Sequence, residues 1–200
     1  MKRITIIGAS GHGKVVADIA RLNGYNEIGF LDDNGQVENC GGYPVVGRTT
    51  TATIIDSDLF VAIGDATTRK NLMEAFGVER FVTLIHPKAV IAENVTIGAG
   101  SVIMAGAVIN PGVRIGAGCI INTCSSVDHD CIVGDYCHIS VGAHLSGTIV
   151  VGAGTWIAVG ASIANNVAIS GNSIIGAGAV VIKDILEPGT YVGVPVRRIR

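Results

Sequence analysis

From Ile91 to Val181 an aliphatic residue recurs at every sixth position: Ile91, Ile97, Ile103, Ile109, Ile115, Ile121, Val127, Val133, Ile139, Leu145, Val151, Ile157, Ile163, Ile169, Ile175 and Val181. Four residues after most of these stands a small side chain, among them Ser101, Ala107, Cys119, Ser125, Cys131, Cys137, Ala143, Thr155, Ala161 and Ser173. A six-residue period is the repeat of a parallel β-helix, in which each hexapeptide supplies a short strand and a corner. The aliphatic residue points inward, the small one fits where the chain turns, and coils stack at the strand spacing of about 4.8 Å. Gly98, Gly116, Gly134 and Gly152 recur every 18 residues, which sets three sides per coil. Fifteen hexapeptides from 91 to 180 therefore predict five triangular coils. Cys119, Cys131 and Cys137 fall in the small inward slot and are expected to be core thiols.

Residues 1–85 carry a different pattern. "RITIIG" predicts a strand, "KVVADIARLNG" an amphipathic helix closed by Gly24, and "EIGFLDD" a second strand ending in two acids. "DLFVAIG" predicts a third strand, "ATTRKNLMEAFG" a second helix and "ERFVTLIH" a last strand. Alternating strands and helices imply a small parallel α/β sheet. The predicted organisation is an α/β domain over 1–85 and a β-helix over 86–200 with a short C-terminal tail. His86 and Pro87 would mark the junction.

Composition narrows the function. The net charge of -2 and the lack of a basic run give no electrostatic footprint for nucleic acid. No Asp, Glu, Lys or Arg stands between Asp135 and Lys183, yet Gly, Ser, Asn and Thr interrupt that stretch too regularly for a membrane-spanning helix. The N-terminus turns polar after four hydrophobic residues, unlike a signal peptide. The five cysteines form no CxxC pair, so reduced thiols and a cytoplasmic location are expected.

Candidate chemistry gathers in two places. "GASGHG" joins the first strand to the first helix; its glycines let backbone approach a ligand, and the helix N-terminus favours phosphate. Its spacing is GxxGxG rather than the dinucleotide GxGxxG. Asp32 and Asp33, closing the second strand, are placed to accept hydrogen bonds from a ribose or sugar hydroxyl. The second place is "SSVDHDCIVGDYCHIS", where His129, Asp130 and His138 interrupt an otherwise quiet repeat.

"IIGASGHGKVVADIA", "GFLDD", "VAIGD", "LIHP", "NTCSSVDHDCIVGDYCHISVGAHLSG" and "YVGVPVRRI" together resemble the NeuD/PglD family along nearly the whole chain. That family consists of sugar O- and N-acetyltransferases of the left-handed β-helix superfamily. The resemblance implies a left-handed coil, a homotrimer, and acetyl-CoA lying between neighbouring β-helices. It also implies an α/β domain holding a nucleotide sugar, with no metal. The family's catalytic histidine matches His129, with Asp130 as its acidic neighbour, and its second histidine matches His138, on the substrate and acetyl-CoA side. Asn122, Gly147 and Ala177 match positions lining acetyl-CoA. Gly11, His12, Gly13, Asp32 and Asp33 match the sugar-nucleotide side.

Such a site suits acyl transfer from a thioester. A histidine titrating near working pH can take a proton from the acceptor. Asp130 can hold the far ring nitrogen, and a backbone N–H such as that of Gly147 can meet the developing oxyanion. Rival functions are sialic acid O-acetylation, a metal site on His129, His138 and His144, and a nucleotide-binding scaffold in which His129 is idle. Arg197, Arg198 and Arg200 form either a solvated tail or a seat for CoA phosphates.

Overall fold

The computed structural model describes residues 1–200. Its N-terminal body has the order β1 (Arg3–Ile7), α1 (Gly11–Leu22), β2 (Glu27–Leu31), β3 (Asn39–Cys40), β4 (Tyr43–Gly47), β5 (Asp58–Val61) and α2 (Ala66–Phe76). The sheet runs β3-β4-β2-β1-β5, parallel except for the β3–β4 pair. α1 begins at Gly11, three residues before the expected Lys14. The first-turn amides of a helix need no intrahelical acceptor, so two glycines cost little there.

The remainder is a three-sided parallel coil. The first face stacks Leu84–Ile85, Val102–Ile103, Ile120–Ile121, His138–Ile139, Trp156–Ile157 and Ile174–Ile175. The second face includes Ser126–Val127 and His144–Leu145, and the third includes Ile132–Val133 and Val150–Val151. Every member of the aliphatic series from Ile103 to Val181 is buried, whereas Ile91 and Ile97 are partly buried beside the open end. Small slot residues satisfy corner carbonyls fifteen residues on: Ser101 Oγ donates to the Gly116 carbonyl, Cys119 Sγ to Gly134, Cys131 Sγ to Ser146, Cys137 Sγ to Gly152, and Thr155 Oγ1 to Ser170. The inward cysteines are thus both packing and hydrogen-bonding groups.

Two corner rules emerge. A Cβ on Gly98, Gly116, Gly134 or Gly152 would lie 2.3–2.7 Å from backbone or side-chain atoms of the next coil, so the eighteen-residue glycine beat marks close coil-to-coil approach. Positive φ follows a different series. Fifteen consecutive positions six apart, from Asn94 to Gly178, all adopt it. Eight are glycine, three are asparagine, and the others are Cys124, Asp130, Tyr136 and Thr148.

"ERFVTLIH" does not form the last strand of the α/β sheet. Val78–Arg80 is a 3-10 turn, Phe81 makes one bridge to Leu59, and Leu84–Ile85 already pairs with Val102–Ile103. A single alternating run thus serves two bodies, which periodicity alone does not divide. At the far end Thr190–Val192 pairs parallel with the coil and antiparallel with Arg197–Arg198, forming a cap. Arg198 pairs there with Glu187 and donates to the Pro188 carbonyl, which ties it to the hairpin.

The two bodies share hydrophobic cores. Ile6, Val16, Ile19 and Phe30 pack in one cluster with Val102, Met104 and Ile120, so α1 lies between its sheet and the first face. Met73 of α2 packs with Phe81 and Tyr136. A Cβ on Gly100 would stand 2.3 Å from Met73 Cε, so that glycine makes room for α2 at the corner between the third and first faces. Asn23 extends the contact, donating to the Ile85 carbonyl at 2.8 Å and accepting from its N–H at 3.2 Å. On the second face the outward residues Val90, His144 and Ser162 are exposed.

Left-handed backbone at the corners is a strict local demand. Asn166→Val is expected to destabilise the fold by ~1–2 kcal/mol, the cost of that conformation to a residue with Cβ, whereas Asn166→Gly should be near neutral. Urea unfolding of the two variants separates these outcomes.

Candidate functional site

His129 stands on the corner between the second and third faces. Asp130, in left-handed backbone, turns its carboxylate back so that Oδ2 lies 2.8 Å from His129 Nδ1. This bond raises the imidazole pKa above its ordinary value, with the charges of Asp128 and Asp130 acting in the same direction. Asp128 Oδ1 accepts from Asn110 Nδ2 at 2.7 Å and from the His129 N–H at 2.8 Å, holding the turn. Asp128 was not among the expected site residues, although "VDHD" brackets the histidine with two acids. A Cβ on Gly147 would lie 2.4 Å from His129 Nε2, so only glycine lets the ring lie across the next coil. With Nδ1 engaged, Nε2 is the nitrogen free to exchange a proton. The Gly147 N–H has no acceptor in the chain.

His138 lies elsewhere, on the first face. Its ring stacks on Trp156 with centroids 6.1 Å apart and planes 9° off parallel. Asn122 Oδ1 accepts from the Thr123 N–H, which turns Nδ2 toward His138 Nε2 at 3.1 Å. Nε2 therefore accepts, and the ring proton sits on Nδ1. Burial first, then the nearby charges of Arg69 and His12, pull the His138 pKa to about 4. His138 and Trp156 line a cleft of about 460 Å³ with Gly64, Asp65, Thr67 and Ile174, between α2 and the first face. Trp156 also carries no mark in the sequence pattern; it stands eighteen residues after His138, hence in the same column one coil on.

The glycine turn approaches the same side. Gly11 is open, with no atom within 4 Å of where a Cβ would stand, whereas a Cβ on Gly13 would lie 2.3 Å from the Gly8 carbonyl oxygen. Gly11 thus offers access and Gly13 close helix packing. The N–H groups of Gly11, His12 and Gly13 have no acceptor in the chain, and no acid occupies this first turn. His12 Nε2 is buried without a partner, and burial, then Arg69, lower its pKa to about 4. Asp32 accepts from the N–H groups of Ala9 and Asn34, and Asp33 from that of Thr49, so both carboxylates already brace loops at the strand end.

The expected residues thus fall into two groups. His129, Asp130 and Gly147 share one corner of the second face. Asn122, His138 and the glycine turn lie beyond its opposite edge, and exposed Ala177 sits on that opposite corner, three coils from Thr123. His144 bonds Ser126 Oγ at 2.9 Å on the second face itself. His129, His138 and His144 do not converge, and no group of three His, Cys, Asp or Glu side chains is placed to hold a metal.

The two depressed histidines carry a stability signature. Both are near 4 when folded and near 6.5 when unfolded, so between those values the unfolded chain binds more protons. Stability should be fully present above about pH 6.5 and fall as pH drops toward 4. His138→Gln should remove up to ~3 kcal/mol of that fall, seen as a smaller difference in unfolding free energy between neutral and acid pH.

Residues 3–76 match the PglD N-terminal domain. The chain is 39% identical over 113 residues to UDP-N-acetylbacillosamine N-acetyltransferase of Bacillus subtilis (strain 168), a match spanning 52% of each. The chain thus spans about half the length of that curated relative. The acetyltransferase domain of PglB from Neisseria gonorrhoeae FA1090, solved with acetyl coenzyme A, superposes with a TM-score of 0.95 at 38% identity over 99% of both chains. A variant of perosamine N-acetyltransferase from Caulobacter crescentus, solved with CoA and GDP-perosamine, superposes at 0.93 with 34% identity, covering 99% of this chain and 97% of that one. An α/β N-terminal body joined to a left-handed parallel β-helix is the architecture here. The chain belongs to the family of PglB/PglD-type acetyltransferases.

Proposed function

We propose that this protein is a cytoplasmic, homotrimeric N-acetyltransferase that moves the acetyl group of acetyl-CoA to the amine of a nucleotide-linked amino sugar. The acceptor class is a UDP-4-amino-4,6-dideoxy-N-acetylglucosamine, and the product serves surface glycan or glycoprotein synthesis. The observation that carries this is the His129–Asp130 pair, with Nε2 turned to an open corner beside Gly147. Similarity to enzymes named for N-acetylation of amino sugars supports the acceptor class. Five free cysteines agree with a reducing compartment.

The chemistry follows from these groups. The sugar amine attacks the thioester carbonyl carbon, and His129 Nε2 takes its proton as the new C–N bond forms. Asp130 holds the ring through Nδ1 and stabilises the imidazolium. The Gly147 N–H is the donor we assign to the carbonyl oxygen as it gains charge. When the C–S bond breaks, CoA leaves as thiolate and recovers the proton from His129 to give the thiol. Asn122, His138 and Ala177 bound the acetyl-CoA track. Along their corner Gly142, Gly160 and Gly178 present no side chain and stand open, giving a smooth path over two coil steps, about 10 Å. Gly11, His12, Gly13, Asp32 and Asp33 receive the nucleotide sugar, its diphosphate meeting the free first-turn amides of α1.

Trimer assembly completes the site. The two groups of residues flank the second face, whose outward residues Val90, His144 and Ser162 are exposed. A threefold arrangement with that face inward brings the His129 corner of one subunit to the Asn122–Ala177 corner of its neighbour, three times over. Each active site then draws on two chains.

Free-thiol release from acetyl-CoA over a panel of UDP-, GDP- and dTDP-amino sugars and sialic acid tests the assignment. An amino sugar should drive release, and His129→Ala should lower kcat by about 10²–10⁴-fold, the usual worth of a general base. Release with sialic acid alone would move the activity to O-acetylation. Because His129 must be neutral and Asp130 raises its pKa, kcat/KM should fall on the acid side, and Asp130→Asn should shift that limb to lower pH. A mixture of refolded His129→Ala and His138→Ala subunits should regain about a quarter of wild-type rate if two chains share each site, and none if one chain holds it all.

A further inference from the structure

Arg69 is the largest fully buried side chain in the molecule, and it has no carboxylate partner. It projects from α2 toward the corner between the third and first faces. Nε donates to the Gly118 carbonyl at 2.6 Å and Nη2 to the Tyr136 carbonyl at 2.6 Å, one coil apart. Nη1 donates to the carbonyls of Ile63 at 2.8 Å and Gly64 at 2.9 Å, in the loop that follows β5. Gly64, with Asp65 beside it, lines the cleft that holds His138 and Trp156. One guanidinium therefore ties the cleft wall to two coils at once.

Four carbonyls meet its N–H fork, but no carboxylate meets its charge. Carbonyl dipoles solvate a buried cation without cancelling it, and burying an unpaired charge is costly. The groups around it are the thiols of Cys119 and Cys137, the phenol of Tyr136, the exposed helix-capping carboxylate of Asp65, and the two neutral imidazoles of His12 and His138. Both imidazoles feel its field. The cleft is thus positive at its base, offset only by the Asp65 carboxylate, which lines the cleft and is itself exposed and bound to the Thr68 N–H.

We propose that Arg69 is a positioning residue for the diphosphate of the nucleotide sugar, fixing the Ile63–Gly64 wall against the coil and supplying the positive charge that the bound diphosphate neutralises. This rests on the nucleotide-sugar assignment above and adds the group that answers the substrate's charge. Arg69 touches none of the reacting atoms; it acts through the wall it holds and the field it sets. A structural staple alone would need the fork of N–H groups but not the charge.

Inorganic pyrophosphate and UDP, titrated calorimetrically into the wild type, Arg69→Lys and Arg69→Gln, separate those roles. Arg69→Gln should weaken both ligands by about tenfold, the scale of a charge-assisted contact, while acetyl-CoA binding stays within about twofold. Arg69→Lys keeps the charge and should restore most of the affinity. In the ligand-free protein the His138 ring, followed by NMR, should titrate higher in Arg69→Gln and near the wild-type value in Arg69→Lys. Should the neutral variant fail to fold, wild type alone suffices: saturating pyrophosphate must raise the His138 pKa. Equal losses in both variants, or a His138 titration that ignores both pyrophosphate and Arg69→Gln, would overturn the proposal. If no nucleotide sugar is acetylated but pyrophosphate binding still depends on the charge at residue 69, the substrate assignment fails and the role of Arg69 stands.

Discussion

Everything in the coil depends on one backbone event repeated every six residues, a single residue in left-handed conformation at each corner. That residue reverses the chain tightly enough for the next strand to begin at once, which keeps the aliphatic positions in register through the stack. Glycine and asparagine accept the conformation readily, and eleven of the fifteen corners use them. The remaining four are informative. Asp130 and Thr148 flank the His129 ring and Gly147, Cys124 follows the Asn122–Thr123 turn, and Tyr136 presents a carbonyl to Arg69. Of these, Asp130 is the corner where the side chain itself has a task, holding the His129 ring. The turn that builds the scaffold also aims the Asp130 carboxylate at Nδ1.

The two bodies divide the chemistry by electrostatics. On the exposed corner His129 is surrounded by acids, which raise its affinity for a proton. In the cleft, burial first and the Arg69 cation second lower the proton affinity of His12 and His138. One residue type is thus set to opposite states, one ring made easier to protonate and two made harder. Placement of the α/β body enforces the separation. α1 covers the first coils of the first face and α2 the adjoining corner, so that the cleft opens beside the later coils of that face.

Much of this was legible in the chain. The coil and its inward residues follow from a period of six, because each hexapeptide buries its own aliphatic residue and little tertiary context is needed to place it. The His129–Asp130 pair was legible for the same reason, being polar residues in a repeat that otherwise has none to spare. The fate of Phe81–Ile85 was not, since its alternation fits an α/β strand and a coil strand equally, and only docking decides. Nor was the placement of Arg69, which among helical charges in "ATTRKNLMEAF" has no local mark; two of its partners are backbone carbonyls 49 and 67 residues away. The glycines at 98, 116, 134 and 152 point to the right number of sides for a reason that only the stacked coils reveal. They permit contact between coils, while other residues make the turns.

Trp156 is the one tryptophan of the chain, half-exposed and stacked on a neutral imidazole at the mouth of the cleft. Its indole N–H is held by Ser140 Oγ at 2.8 Å, so the ring keeps a fixed orientation. All of the protein's indole emission therefore originates at a single wall of a single cavity. Whatever enters there changes the polarity and the quenching that this one fluorophore experiences. The fold carries its own optical gauge of occupancy, placed by the eighteen-residue pitch of the coil directly above His138.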